Sequence, residues 1–133
     1  MNYIFYQVFL IFFEYRFPNI ITLMFYKNVC HGTSNDNIYI CGSHGTILRY
    51  DGTDWKPMQS GTEEYLLSIW GTSDENIFVV GDNSAMLHYN GKNWSSMQSP
   101  KDEYMTKVKG LGPDQVYAVG ENGTVIKYDG NEW

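Results

Sequence analysis

A period of 39 residues governs most of this chain. Gly32, Gly71 and Gly110 keep it, and so do Gly42, Gly81 and Gly120, then Tyr50, Tyr89 and Tyr128, then Gly52, Gly91 and Gly130, then Trp55, Trp94 and Trp133. Met58-Gln59-Ser60 returns as Met97-Gln98-Ser99, and Tyr26, Tyr65 and Tyr104 stand at the start of the units. A chain that repeats in this way folds as supersecondary units stacked on one another, because a single unit has no second surface against which to bury its apolar faces.

The middle unit reads as four short strands. Tyr65 to Trp70 is the first, Gly71 to Glu75 a polar turn, Asn76 to Val80 the second, Ala85 to Tyr89 the third and Trp94 to Gln98 the fourth. Asn90-Gly91, and its counterparts Asp51-Gly52 and Asp129-Gly130, mark tight hairpins, since a type I′ turn needs positive φ at both central residues. The second strand is apolar at every position from Ile77 to Val80, as are Ile38 to Cys41 and Val116 to Val119. A strand wetted on one face alternates, so these runs predict sheets buried on both faces. Tandem four-stranded meanders buried on both faces are the blades of a β-propeller, and the chain is predicted to be all-β, an incomplete β-propeller over 26–133 with repeats at about 31–69, 70–108 and 109–133. The structural columns are Gly42, Gly81 and Gly120, Tyr50, Tyr89 and Tyr128, and Trp55, Trp94 and Trp133. Their rings fill the space between sheets, with the phenol or indole hydrogen reaching a partner at the edge. A propeller takes about 4–8 blades, so two full units and 25 residues of a third do not close a ring. A fragment of a longer protein is the expectation, and closure by self-association the alternative.

Trp70-Gly71-Thr72-Ser73-Asp74 to Val79-Val80-Gly81, followed by Leu87-His88-Tyr89-Asn90-Gly91 to Trp94, resembles the bacterial propeller repeats grouped as BNR, YVTN or Ycf48-like. The likeness covers about Tyr26 to Trp133. It implies a rigid interaction platform, in a secreted, periplasmic or cell-envelope protein. The sialidase Asp-box is only echoed, by Asp51-Gly52-Thr53-Asp54-Trp55 with a shorter spacing.

Met1 to Phe25 is of another kind: it holds six of the seven Phe residues and none of the 13 Gly. Its apolar run from Tyr3 to Phe13 has 11 residues, short of the roughly 20 that span a bilayer. It lacks the basic start and small-residue cleavage site of a signal peptide, and a degenerate export signal stands beside a stretch with no native role.

Catalysis finds little support. The repeats contain a single arginine, Arg49, where sialidase-type chemistry needs a cluster, and no nucleophile elbow, zinc motif or phosphate loop occurs. The remaining enzymatic reading is a piece of a carbohydrate-active propeller whose catalytic residues lie outside this chain. His31, His44 and His88 occupy unrelated columns. Cys30 and Cys41 stand where other units carry Ile or Val, and a hairpin pairing Trp70 with Asn76 puts them on opposite faces of the sheet, against a disulfide.

One feature carries function. Glu63-Glu64 recurs as Asp102-Glu103 in the connections between units, and Asp82 and Glu121 sit in the second-to-third-strand turns of the same propeller face. This acidic rim suits a basic protein, a cationic ligand or Ca²⁺; the alternative is a set of solvated charges that keep the fold soluble. No other cofactor is expected. The net charge of −6 disfavours nucleic acid.

Overall fold

The computed structural model describes residues 29–133, so the Met1 to Phe25 segment and the join at Tyr26 lie outside the described residues. Three antiparallel sheets follow one another along the chain. The first blade is β1 (Val29–Ser34), β2 (Asn37–Cys41), β3 (Ile47–Tyr50) and β4 (Trp55–Met58). The second is β5 (Leu66–Ser73), β6 (Asn76–Gly81), β7 (Met86–Tyr89) and β8 (Trp94–Ser96). The third has β9 (Met105–Gly112), β10 (Gln115–Gly120) and β11 (Val125–Tyr128), with one 3-10 turn at Glu121–Gly123. Each sheet is a simple meander, and the blades touch mainly along their first strands, β1 to β5 to β9. The chain is a partial β-propeller whose first strands lie innermost.

Apolar runs on the second strands become the core. Tyr39, Cys41 and Ile47 of the first blade meet Ile69, Ile77, Val79 and Leu87 of the second. On the other face of the second blade, Trp70, Phe78, Val80 and Met86 meet Met105, Val108, Val116 and Ala118 of the third. Ile77, Phe78, Val79 and Val80 are therefore all 0% exposed, each such burial contributing about 1.5–3 kcal/mol for a large side chain. The third blade departs from the predicted two-sided burial. Val116 and Ala118 are buried against the second blade, whereas Tyr117 and Val119 on the far face are 37% and 38% exposed. The sequence of β10 is as apolar as that of β6; what differs is that no described sheet covers its far side.

Two glycines permit close packing, one between blades and one within a blade. A Cβ on Gly110 would lie 2.3 Å from the indole of Trp70, and one on Gly81 would lie 2.0 Å from the carbonyl of Tyr65. Trp70 thus fits into the hollow that the third blade leaves at Gly110. One unit earlier in the same column as Trp70, His31 lies against Trp70 at 6.4 Å between ring centroids. Ser68 adds a polar tie between blades, its Oγ accepting from the Val108 N–H at 3.1 Å.

Several local expectations need correction. The first strand does not end at Trp70: β5 runs on through Gly71-Thr72-Ser73, leaving only Asp74-Glu75 as the turn. The hairpin pairs Trp70 with Phe78 rather than Asn76. A shift of two residues preserves the facing of each side chain, so Cys30, opposite Ile40, and Cys41, opposite Val29, still point to opposite faces, and no disulfide joins them. Tyr50 stacks on Trp55, Tyr89 on Trp94 and Tyr128 on Trp133, with centroids 5.3, 5.1 and 5.5 Å apart. The Tyr50 hydroxyl donates to the Gly52 carbonyl at 2.8 Å, as expected, but the indole N–H groups of Trp94 and Trp133 are buried without a hydrogen-bond partner among the described residues.

Candidate binding rim

The face that carries the predicted acidic corner is built from two kinds of loop. The second-to-third-strand turns are tight and left-handed at both central positions: φ is 53° and 64° at His44 and Gly45, 48° and 59° at Asn83 and Ser84, and 54° and 74° at Asn122 and Gly123. Each is closed by a backbone bond, Thr46 N–H to Ser43, Ala85 N–H to Asp82 and Thr124 N–H to Glu121, at 2.9–3.0 Å. Asn, His and Gly tolerate this region, which is why such residues fill the column.

Against these turns lie the connections that hold Glu63-Glu64 and Asp102-Glu103. The Asp82 N–H donates to the Tyr65 carbonyl at 2.9 Å and the Glu121 N–H to the Tyr104 carbonyl at 3.1 Å, so each connection is pinned to the turn of the blade that follows it. Side chains add ties to the following turn and, through Ser84, to the preceding one. Asn83 Nδ2 donates to Glu64 Oε2 at 2.8 Å, Ser84 Oγ to Asp102 Oδ1 at 3.0 Å, and the Thr124 hydroxyl to Glu103 Oε2. Glu64, Asp102 and Glu103 are thereby held by neutral donors of the adjacent turns. Glu63 and Glu121 are exposed, and Asp82 is half-buried at its turn. All six carboxylates lie on one rim. Among the described residues no group of three or more His, Cys, Asp or Glu side chains is placed to hold a metal ion.

The opposite rim is acidic as well, which the sequence reading did not pick out. Asp36, Asp74, Glu75 and Asp114 occupy the first-to-second-strand turns, and Asp51, Asp54, Asp129 and Glu132 the Asp-Gly turns beside them. The two turn sets adjoin, since a Cβ on Gly52, Gly91 or Gly130 would fall within 3.2 Å of Asp36, Glu75 or Asp114. Asp51, Asp129 and Asp74 have structural duties. Asp51 Oδ1 accepts from the Thr53 and Asp54 N–H groups at 3.0 and 2.9 Å while Oδ2 pairs with Lys56, and these bonds hold its carboxyl well below the usual carboxylate range. Asp129 repeats the cap on Asn131 and Glu132 and is lowered for the same reason. Asp74 bridges two blades, accepting from the Asn37 amide at 2.7 Å and from the Thr33 hydroxyl, while Asn37 Oδ1 accepts from Arg49 Nε at 2.9 Å. Arg49 is therefore committed to the blade junction, over the ring of Tyr39 at 5.7 Å, and offers no anchor for a substrate carboxylate.

His31, His88 and Cys30 are half-buried and Cys41 is buried, whereas His44 is exposed at its turn. Burial lowers the pKa of His31 and of His88 and raises that of Cys30, and it pushes the Cys41 thiol up to about 12. His88 Nε2 lies 2.7 Å from Asn76 Oδ1, and Asn76 Nδ2 donates to Thr72, which assigns the proton to His88 Nε2.

Three meanders stacked through their innermost strands, with paired loop rims, define a β-propeller module. Two solved structures share this fold: YCF48 bound to a D1 peptide, with a TM-score of 0.63 at 18% identity over 78% of this chain, and YCF48 from Cyanidioschyzon merolae, with a TM-score of 0.64 at 23% identity over 76% of this chain. The chain covers 37% and 36% of those two proteins. No protein-family profile and no curated sequence matches it. No helix among the described residues is long and apolar enough to cross a membrane.

Proposed function

We propose that this chain is a non-catalytic binding module of a propeller protein and that the rim of Glu63, Glu64, Asp82, Asp102, Glu103 and Glu121 receives a basic segment of a partner protein. The observation that carries the reading is the pinning of both acidic connections to the turns of the blades on either side, which holds Glu64, Asp102 and Glu103 on one edge. A fixed array of like charges favours a cationic partner, because the ordering has been done before binding and the partner relieves the mutual repulsion. A YCF48 propeller with a bound D1 peptide supports peptide capture as a use of this fold. Ca²⁺ is the second cation this rim would take, and a secreted or envelope setting goes with the same reading.

The test is a thermal titration of the whole chain with a lysine-rich peptide and, separately, with CaCl₂. Binding to the folded state raises the melting temperature, and salt weakens the peptide's effect. Changing Glu63, Glu64 and Glu103 to Gln and Asp102 to Asn removes the shift while leaving the fold intact. A wild-type melting temperature indifferent to both additives would make these carboxylates ordinary solubilising charges.

A further inference from the structure

One aromatic column of the repeat has no part in the core. Tyr65 and Tyr104 stand 39 residues apart, immediately before β5 and β9, yet each is 43% exposed and neither belongs to an apolar cluster. The tyrosines of the Tyr50 column, by contrast, stack on the tryptophans, and Tyr89 and Tyr128 are buried. What the fold takes from Tyr65 and Tyr104 is backbone: their carbonyls accept from the Asp82 and Glu121 N–H groups, and any residue would supply a carbonyl. Tyr65 lies between the first and second blades and Tyr104 between the second and third, so described sheets flank both rings and their exposure belongs to the rim.

Exposure alternates along the two connections that lead into these residues. In Glu63-Glu64-Tyr65 the first and third are exposed, while the middle one is half-buried with its carboxylate on Asn83. Asp102-Glu103-Tyr104 repeats the pattern, with Glu103 on Thr124. Each connection therefore presents one carboxylate and one phenol ring to solvent. Both pairs stand on fixed backbone: the Gly45 N–H donates to the Glu64 carbonyl at 2.8 Å and the Leu66 N–H to the Gly42 carbonyl at 3.0 Å, and Ser84 Oγ bonds to the Glu103 carbonyl as well as to Asp102. His44 packs beside the Tyr65 ring, with centroids 5.5 Å apart, and steadies it. An aromatic face beside a carboxylate selects among cations. A guanidinium is planar, so it lies on the ring and still directs N–H groups at the carboxylate, whereas an ammonium is a compact and strongly hydrated point charge.

We propose that Tyr65 with Glu63, and Tyr104 with Asp102, are two arginine-binding platforms, and that the partner segment is an extended one carrying two arginines. Each guanidinium stacks on a phenol ring and bonds to the carboxylate of the same connection. Packed sheets lie about 10 Å apart, which is roughly three residues of extended chain, so the arginines stand three positions apart. This inference rests on the reading of the rim as the receiver of a basic segment and narrows it from any cation to the guanidinium group.

The whole chain, ¹⁵N-labelled, is titrated with acetyl-Gly-Arg-Gly-Gly-Arg-Gly-amide and with two altered peptides in which lysine or proline replaces both arginines. The expected result is amide shifts at Tyr65 and Tyr104, with the arginine peptide binding about threefold or more tighter than the lysine peptide, the range of a cation on an exposed ring, and the proline peptide weakest. Changing Tyr65 and Tyr104 together to Leu brings the arginine peptide down to the affinity of the lysine peptide, and changing both to Phe keeps the preference. Because neither ring is in the core, both double variants keep the fold, which the unchanged amide spectrum of β6 verifies. Equal affinity of the arginine and lysine peptides for the wild-type chain would overturn arginine selection and leave the cationic reading of the rim standing. No shifts from either peptide at about 2 mM would overturn both readings. A proline peptide that binds as well as the arginine peptide would overturn the proposal, as would an arginine preference that survives the change to Leu.

Discussion

The indole of Trp70 lies across Gly110, so close that a single added methyl group on the glycine would stand 2.3 Å from Cη2. The contact joins two residues 40 apart in sequence at the inner ends of adjacent blades. It makes the glycine at position 110 a packing requirement as well as a repeat signature. Gly110→Ala must push the indole or separate the blades, and overpacking of this kind costs about 1–3 kcal/mol. Gly112→Ala, whose new Cβ would meet nothing nearer than 3.7 Å, serves as the control and should leave urea unfolding nearly unchanged.

The rim turns give an ordered series. Ser84 sits at φ 59° where the other two units have glycine, and its hydroxyl bonds to Asp102. Ser84→Ala keeps the left-handed strain and loses the bond, so it should destabilise by about 1 kcal/mol. Ser84→Gly loses the bond but also the strain and should come close to wild type. Gly45→Ala should be the worst of the three, because its Cβ would fall 1.8 Å from the Thr62 carbonyl. Melting temperatures of the three variants check the order.

Thiol chemistry should separate the two cysteines. Cys41 is fully buried with its pKa pushed up to about 12, while Cys30 is half-buried with a smaller upward displacement. The thiolate is the reactive form, so a thiol reagent at neutral pH should modify Cys30 slowly and Cys41 only on unfolding. Mass spectrometry of the labelled native chain reports which has reacted.

Stability should fall as pH drops below about 6.5, the unfolded value for histidine. Burial lowers the pKa of His31 and His88 in the folded state, so in this window the unfolded chain binds protons that the folded chain refuses. The loss begins at the unfolded value and is complete below the folded ones. A second fall belongs below about 3.9, where the lowered carboxyls of Asp51 and Asp129 resist protonation only while folded. Urea midpoints measured from pH 8 to pH 3 should therefore drop in two stages, and His88→Asn should shrink the first.

What the sequence revealed was whatever recurs. Columns such as Gly81 and Tyr89 announced the meander and its turns, because each unit meets the same packing problem. Phase within a strand was less legible: Gly71-Thr72-Ser73 is polar and looks like a turn, yet β5 holds it in the ladder, where backbone pairing outweighs side-chain preference. The one-sided burial of Tyr117 and Val119 was invisible for a different reason, since exposure there depends on a neighbour rather than on the residues. The rim's connections adjoin its turns, and their anchoring by Asn83, Ser84 and Thr124 depends on contacts across 18 to 21 residues that no local pattern encodes. The acidity of the opposite rim was hidden inside residues already explained as turn formers, Asp51 and Asp129 among them.

Native-state hydrogen exchange on the intact chain tests the central claim, that one repeat makes three stacked blades with the second enclosed by the first and third. Amides of Ile77 to Val80 on β6, buried on both faces, should exchange only through global unfolding, and those of Val125 and Lys127 on β11, the outer strand of its sheet among the described residues, should exchange early. Protection should thus peak in the second blade and fall away at β11. Equal protection of β6 and β11, or exchange of the second blade before the third, would contradict the stacked arrangement.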